Sequence, residues 1–349
     1  MHQHKHRPLA AAALLLALAW PAAANDSEAE LAAGGLVLVK NDNIVMQRED
    51  LTLSPTEVRV RYEMRNVTDR PLMLRVAFPM PEVPSEGPAG LSTSTGGYNI
   101  AMRPPTDPNF MQFRVWADQR EIAPEVEVKA LLPDGRDVAA ALREIGGMKL
   151  VLRPGLFFLT DDDAPDAAMR ARLEVLGALE KLDASAIRLP WIPRVTFHWM
   201  QTFAPGVTVV EHVYRPIVGS RFVMRDDKGR LTGSGGGDTV RDLCIDAPTD
   251  QAIRALEKRV RDKSDVGMLI GHTLGYVLQT ARNWSGPIGT FHLTLEGGPM
   301  RPEDAGKSEV RITSLCTDLP LRRTGPQRFE ATVSDYVPKD DLRILYIAE

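Results

Sequence analysis

The ten residues 57–66, EVRVRYEMRN, constrain the fold more than any other stretch of the chain. Val58, Val60, Tyr62 and Met64 fall on one side of a period-two pattern; Arg59, Arg61, Glu63 and Arg65 fall on the other. Successive strand side chains point to opposite faces, so this is a strand with one buried face and one wet face. Such a strand belongs in an antiparallel sheet that shares its one-sidedness. The arginine row could hold an anionic ligand, but rows of this kind are ordinarily solvated sheet faces.

The same rhythm recurs. Residues 72–78 read as a strand stopped by Pro79 and Pro81, after a turn at 66–70. Residues 110–116 and 125–132 alternate again. Residues 194–203 and 207–217, either side of Ala204-Pro205-Gly206, read as a hairpin. Further strands are expected at 275–280, 289–295, 309–316, 328–334 and 342–347. Residues 81–108, rich in Pro, Gly, Ser and Thr, read as a long surface loop.

Helical signals are fewer. Residues 25–35 (NDSEAELAAGG) suggest a short helix, with Ser27 as cap, Glu30 three residues on and Gly34 at its end. Val138, Leu142 and Ile145 mark a second helix with Gly146 as its stop. Met169, Leu173, Leu176 and Leu179 stripe a third, over 164–182, giving a helical insertion at about 137–185. A further helix at about 250–263 carries Ile253, Leu256 and Val260, with Thr249 as its cap. Asp161, Asp162 and Asp163 match no calcium loop and read instead as carboxylates at a helix N-terminus.

The expected architecture is therefore mainly β and antiparallel sandwich-like. It has two β-rich parts, 25–233 and 234–349, with the connector Ser234-Gly-Gly-Gly237 between them; the alternative is one domain over 25–349.

The first 24 residues read as a secretory signal. Lys5 and Arg7 precede an apolar run at 9–20, and Ala22-Ala23-Ala24 offers a cleavage site. The run is too short to span about 30 Å of hydrocarbon. A mature chain without Lys5 and Arg7 has 40 basic and 46 acidic residues, a net charge of −6. With no basic block, nucleic acid is not an expected partner. No later apolar run is long enough to cross a membrane, and a periplasmic or secreted location is expected. There Cys244 and Cys316 would pair as a disulfide; the other reading is two separate buried thiols.

Catalytic signals are sparse. His198 and His212 would oppose each other in the hairpin with a three-residue loop, whereas a four-residue loop would set His212 against Trp199. With His272, His292 and a carboxylate such as Glu211 they are weak metal candidates, because no short ligand motif accompanies them. Ser234 lies among glycines but between no strand and helix, and Ser285 in NWSGPIGTF (283–291) has no nucleophile elbow. That segment reads as a turn anchored by Trp284. Asn283-Trp-Ser and Asn66-Val-Thr are glycosylation sequons in form. Trp116, Trp191 and Trp284 are candidate sugar-stacking residues, provided their rings reach solvent. No cofactor is expected.

Several segments resemble one bacterial family, called domain of unknown function 4424. They include NDSEAELAAGGLVLVKNDNIVMQREDLTLS, VRVRYEMRNVTDRPLMLRVAFPMP, FHWMQTFAPGVTVVEHVYRPIVG, YVLQTARNWSGPIGTFHLTL and VSDYVPKDDLRILYI. The resemblance implies an exported bacterial protein and supplies no catalytic residues. NVTDRPLMLRVAFPMP also resembles two strands of the vault and inter-alpha-trypsin type β-domain. These readings lean to a non-enzymatic binding or structural module of the cell envelope, with a protein or polysaccharide as partner. An envelope hydrolase, a His-based metal protein and a carbohydrate-binding module are the alternatives.

Overall fold

The computed structural model describes residues 27–32, 35–80, 92–95, 98–99, 105–162, 164–233, 239–263, 269–301, 305–306 and 309–348. Within them the fold is mainly antiparallel β and sandwich-like. The strand Val58–Asn66 buries Val58, Val60, Tyr62 and Met64 and turns its charged residues outward, as its alternation requires. It lies inside an eight-stranded sheet. The order is Arg322–Gly325, Arg328–Tyr336, Ile288–Glu296, Ile44–Leu53, Val58–Asn66, Gly206–Tyr214, Arg114–Ala117 and Arg120–Ile122. Its third and fourth strands, Ile288–Glu296 and Ile44–Leu53, run parallel and join an early segment of the chain to a late one. Strands from both sides of the 234–237 connector thus share this sheet; the connector itself lies outside the described residues. A Cβ on Gly289 would stand 2.7 Å from the Gln47 carbonyl oxygen, so only glycine admits this approach.

A five-stranded sheet packs on the buried face: Glu125–Leu131, Ile192–Phe203, Leu72–Pro79, Ser27–Ala32 and Gly35–Val39. Two expectations fail here. Of the helix expected at 25–35, the described residues 27–32 and 35 are strand instead. Ser27–Ala32 and Gly35–Val39 pair with each other, and Ser27 and Glu28 continue onto Leu72–Pro79. Strand pairing outweighs the local capping signal. Nor do Ile192–Phe203 and Gly206–Tyr214 form a hairpin, because they lie in different sheets. The chain crosses the sandwich at Ala204-Pro205. There the Asn66 side chain donates to the Phe203 carbonyl (2.9 Å) and Gly206 takes φ 101°. Each strand then faces the other through its buried residues, Phe197 and Trp199 against Val210 and His212.

The helical insertion packs at one end of this core. Its first helical span, Ala139–Val151, breaks at Gly146 as expected: Gly146 and Gly147 leave helical geometry, and a second short helical segment follows them to Val151. The second is shorter than expected, Ala167–Leu176. It is capped by Asp166 rather than by the preceding aspartates and ends at Gly177 in the left-handed region. Asp161 instead accepts from the Phe158 N–H, and Asp163 is outside the described residues. A small sheet of Gly155–Phe158, Ala186–Leu189 and Glu180–Lys181 completes the insertion.

The third large sheet contains Glu309–Cys316, Leu342–Ala348, Leu269–Tyr276 and Ile217–Arg225. Ser92–Thr95 pairs with Ile217–Arg225, so part of the expected 81–108 loop is strand; 81–91, 96–97 and 100–104 lie outside the described residues. Leu342–Ala348 is buried on both faces. Ile344 and Tyr346 enter the main core, while Leu345 and Ile347 join Ile253 of the helix Ala247–Lys263 in a second one. That helix begins under Asp246, whose carboxylate accepts from Thr249 N; Thr249 is inside the helix rather than its cap. The strand expected at 275–280 ends at Tyr276, and Gln279–Asn283 is a short 3-10 turn. The strand expected from residue 110 begins at Arg114.

Candidate functional site

The wet face of the eight-stranded sheet gathers side chains from seven strands into one row. Glu121 stands opposite Trp116, Trp116 opposite Glu211, and Glu211 opposite Arg61. Arg61 stands opposite Asp50, Asp50 beside His292, and His292 opposite Thr332. Strands lie about 4.8 Å apart, so the row runs for roughly 30 Å. One flanking row carries Arg114, Arg59, Glu330 and Arg322; the other carries Glu63 and Arg48.

Fixed contacts order this face. Arg48 grips Asp50 with two bonds of 2.7 Å. Arg61 Nη1 lies 2.7 Å from Glu63 and 3.9 Å from Asp50. Arg114 holds Glu121 with two bonds and stacks over the Trp116 ring, 4.7 Å from its centroid. The hydrogen bond from Arg114 holds the Glu121 carboxyl below its usual range. His292 Nδ1 lies 2.8 Å from Thr332 Oγ1, and its Nε2 lies 3.3 Å from Thr294 Oγ1. Exposed pairs like these add little to stability. They do hold side chains in set positions on rigid strands, which is what a binding surface needs.

The His198–His212 pair that a three-residue loop would give does not form, and neither register applies once the two strands separate. His212 is buried inside the sandwich. Its ring centroid is 4.9 Å from Phe78, 5.1 Å from Phe113, 5.4 Å from Trp199 and 5.5 Å from Tyr62. Burial pushes its pKa down to about 3, so it is neutral. His198 points the other way, onto the outer face of the five-stranded sheet, opposite Glu125. Its Nδ1 accepts from Arg75 Nη1 at 3.0 Å. Burial lowers its pKa, against the opposing pull of Glu125 and Glu127. Among the described residues no group of three or more His, Cys, Asp or Glu is placed to hold a metal.

Trp191 and Trp284 are sealed in the core and have no ring surface for a sugar. Trp191 Nε1 donates to the Val151 carbonyl, and Trp284 packs edge-on against Phe203. Trp116 is half-buried and remains. In NWSGPIGTF, Ser285 N donates to the Ile44 carbonyl, and Gly286 (φ 74°) makes the turn. Asn66 is buried and fully engaged. Its amide donates to the carbonyls of Arg70 and Phe203, and its oxygen accepts from Thr68 N and Oγ1. Cys244 and Cys316 bring their sulfurs to 2.08 Å, a disulfide distance. Asp50 and Thr332 escape sequence reasoning, and His292 enters it only as a weak metal candidate. Their outward positions are readable strand by strand, but not which strands are neighbours.

These features define a sandwich-like β-protein with one ordered polar face and two covered sheets. The chain belongs to the family described as a domain of unknown function, DUF4424, whose model matches residues 24–345. It is also similar to a solved Legionella pneumophila structure described as a "putative nutrient binding protein". That likeness has 12% identity, covers 93% of this chain and 72% of that one, and has a TM-score of 0.38. No curated protein matches. Among the described residues, no helix is long and apolar enough to cross a membrane.

Proposed function

We propose that the mature chain is a non-enzymatic binding module of the bacterial cell envelope, acting through the wet face of the eight-stranded sheet. The row from Glu121 to Thr332 carries this reading. It spans seven strands, and its side chains are ordered by ion pairs and hydrogen bonds rather than carried on loops. The parallel pair Ile44–Leu53 and Ile288–Glu296 supports 25–349 working as one family domain. The apolar run at 9–20 before Ala22-Ala23-Ala24 supports export with cleavage near Ala24, and the Cys244–Cys316 distance fits an oxidising compartment. The metal-protein alternative loses support with the separation of His198 from His212.

The test is a photo-crosslinker placed at Thr332 or Glu211 in the exported protein, with Met200 on the five-stranded sheet as control. Adducts from the first two positions alone are expected. Adducts confined to Met200, or reproducible turnover in a substrate panel, would sink the reading.

A further inference from the structure

We infer that the wet face binds an uncharged, hydroxyl-rich glycan chain lying across the strands, along the row from Trp116 to Thr332. This rests on the reading of that face as the binding surface and names its ligand class. Three observations select the ligand.

The first is charge. Across the three rows five arginines are matched by five carboxylates, and no lysine is present. A polyanion needs a basic excess to release its counterions, and this face offers none. The second is polarity. Most exposed large apolar residues, among them Met73, Leu156, Phe158, Val175 and Met200, lie off this face; Val207 lies on it beyond the row of Glu63, and within the rows Val209 and Val213 are half-buried. A protein hot spot needs apolar or aromatic anchors in desolvated pockets, so a protein partner fits this face poorly. The third is the mixture of groups presented. Carboxylates only accept and guanidiniums only donate, while His292 and Thr332 do both. They alternate along a line, and a sugar hydroxyl, donor and acceptor at once, can satisfy either kind. Trp116 is the described tryptophan that reaches solvent; Arg114 stacks over one face of its ring, so a sugar's C–H face would pack on the part that Arg114 leaves uncovered. A row of about 24 Å at the strand spacing suits an extended chain rather than a monosaccharide.

The experiment is titration calorimetry of the mature chain with a hexamer of β-1,4-linked N-acetylglucosamine, with cellohexaose, with the matching dimers and with heparin. Binding of a neutral hexamer is expected, with the dimers at least about tenfold weaker. Trp116→Ala at one end should weaken the hexamer by about tenfold or more, and His292→Ala toward the other should weaken it measurably. Thermal melts check that both variants fold. Heparin binding without hexamer binding would overturn the inference in favour of a charged ligand. Hexamer binding unchanged in both folded variants would place the glycan elsewhere and equally overturn it. Protein adducts from the Thr332 or Glu211 crosslinker with no glycan binding would overturn the glycan but leave the binding module standing. With neither adducts nor glycan binding, both readings fall.

Discussion

Protonating His212 would put a cation in the middle of the sandwich, among the rings of Tyr62, Phe78, Phe113 and Trp199. Burial holds its pKa at about 3, against 6.5 for the free side chain. Between those values the unfolded chain takes up a proton and the folded one does not. Stability therefore rises with pH across this window. The contribution is complete above about pH 6.5 and drains away as the pH falls toward 3. At pH 4.5 the loss relative to neutrality is about 3 kcal/mol; over the whole window it is on the order of 5 kcal/mol. His212→Leu removes the titration and leaves an apolar group of similar bulk. Urea unfolding of wild type and variant across this range gives the comparison. The stability difference between them should move by about 3 kcal/mol in favour of the variant between neutrality and pH 4.5. Acid losses from carboxylates are common to both and cancel. Parallel pH profiles would refute the reasoning. They would mean that the surrounding rings stabilise the imidazolium, a cation–π effect worth about 2 kcal/mol or more when desolvated.

Three structural predictions accompany this one. Replacing Cys244 and Cys316 by Ser should lower stability by about 4 kcal/mol, from the loop entropy of a 72-residue separation. Peptide mapping without reductant should recover the linked pair, and two free thiols would reject the link. Gly289→Ala should cost about 1–3 kcal/mol in the urea midpoint, because its Cβ would meet the backbone oxygen of Gln47 at 2.7 Å and neither strand can swing aside. Asn66→Ala should cost about 1–3 kcal/mol, by stripping the buried Phe203 carbonyl of a donor where the chain changes sheets; an unchanged melting temperature would show that the corner holds without it.

Much of the fold is legible because its signals are local. The alternation at 57–66 survives intact, and so do the strands at 72–79, 125–131, 309–316 and 328–336. What fails depends on which element lies alongside. The segments 192–203 and 206–214 carry hairpin-like patterns and a turn between them, yet each finds its hydrogen-bond partners in a different sheet. Both outcomes bury the same alternate residues, so the pattern cannot choose between them. Ser27 and Glu30 spell a capping box, but Glu30 pairs with Val37 of the adjoining strand, and Ser27 pairs with Ala77, some fifty residues on. Leu342–Ala348 looks irregular because two separate cores claim its two faces.

The candidate site is less legible, and Ile44–Leu53 shows why. Strict alternation from the buried Ile44 and Met46 would carry Arg48, Asp50 and Thr52 into the core. The pairing with Val58–Asn66 slips between Met46 and Arg48, and a bulge at Gln47 absorbs one residue. Beyond it Leu51 and Leu53 turn inward, and Arg48 and Asp50 reach the wet face, where they meet each other and Arg61. The same shift buries Glu49, an expensive position for a carboxylate. Gln47 is also where Gly289 makes its close approach, so the bulge and the glycine together fix how Asp50 registers with His292. One inserted residue and one missing side chain thus align the two halves of the row. Gly289→Ala should consequently weaken glycan binding as well as stability, whereas a destabilising change at the distant Asn66 corner should spare binding in the protein that remains folded.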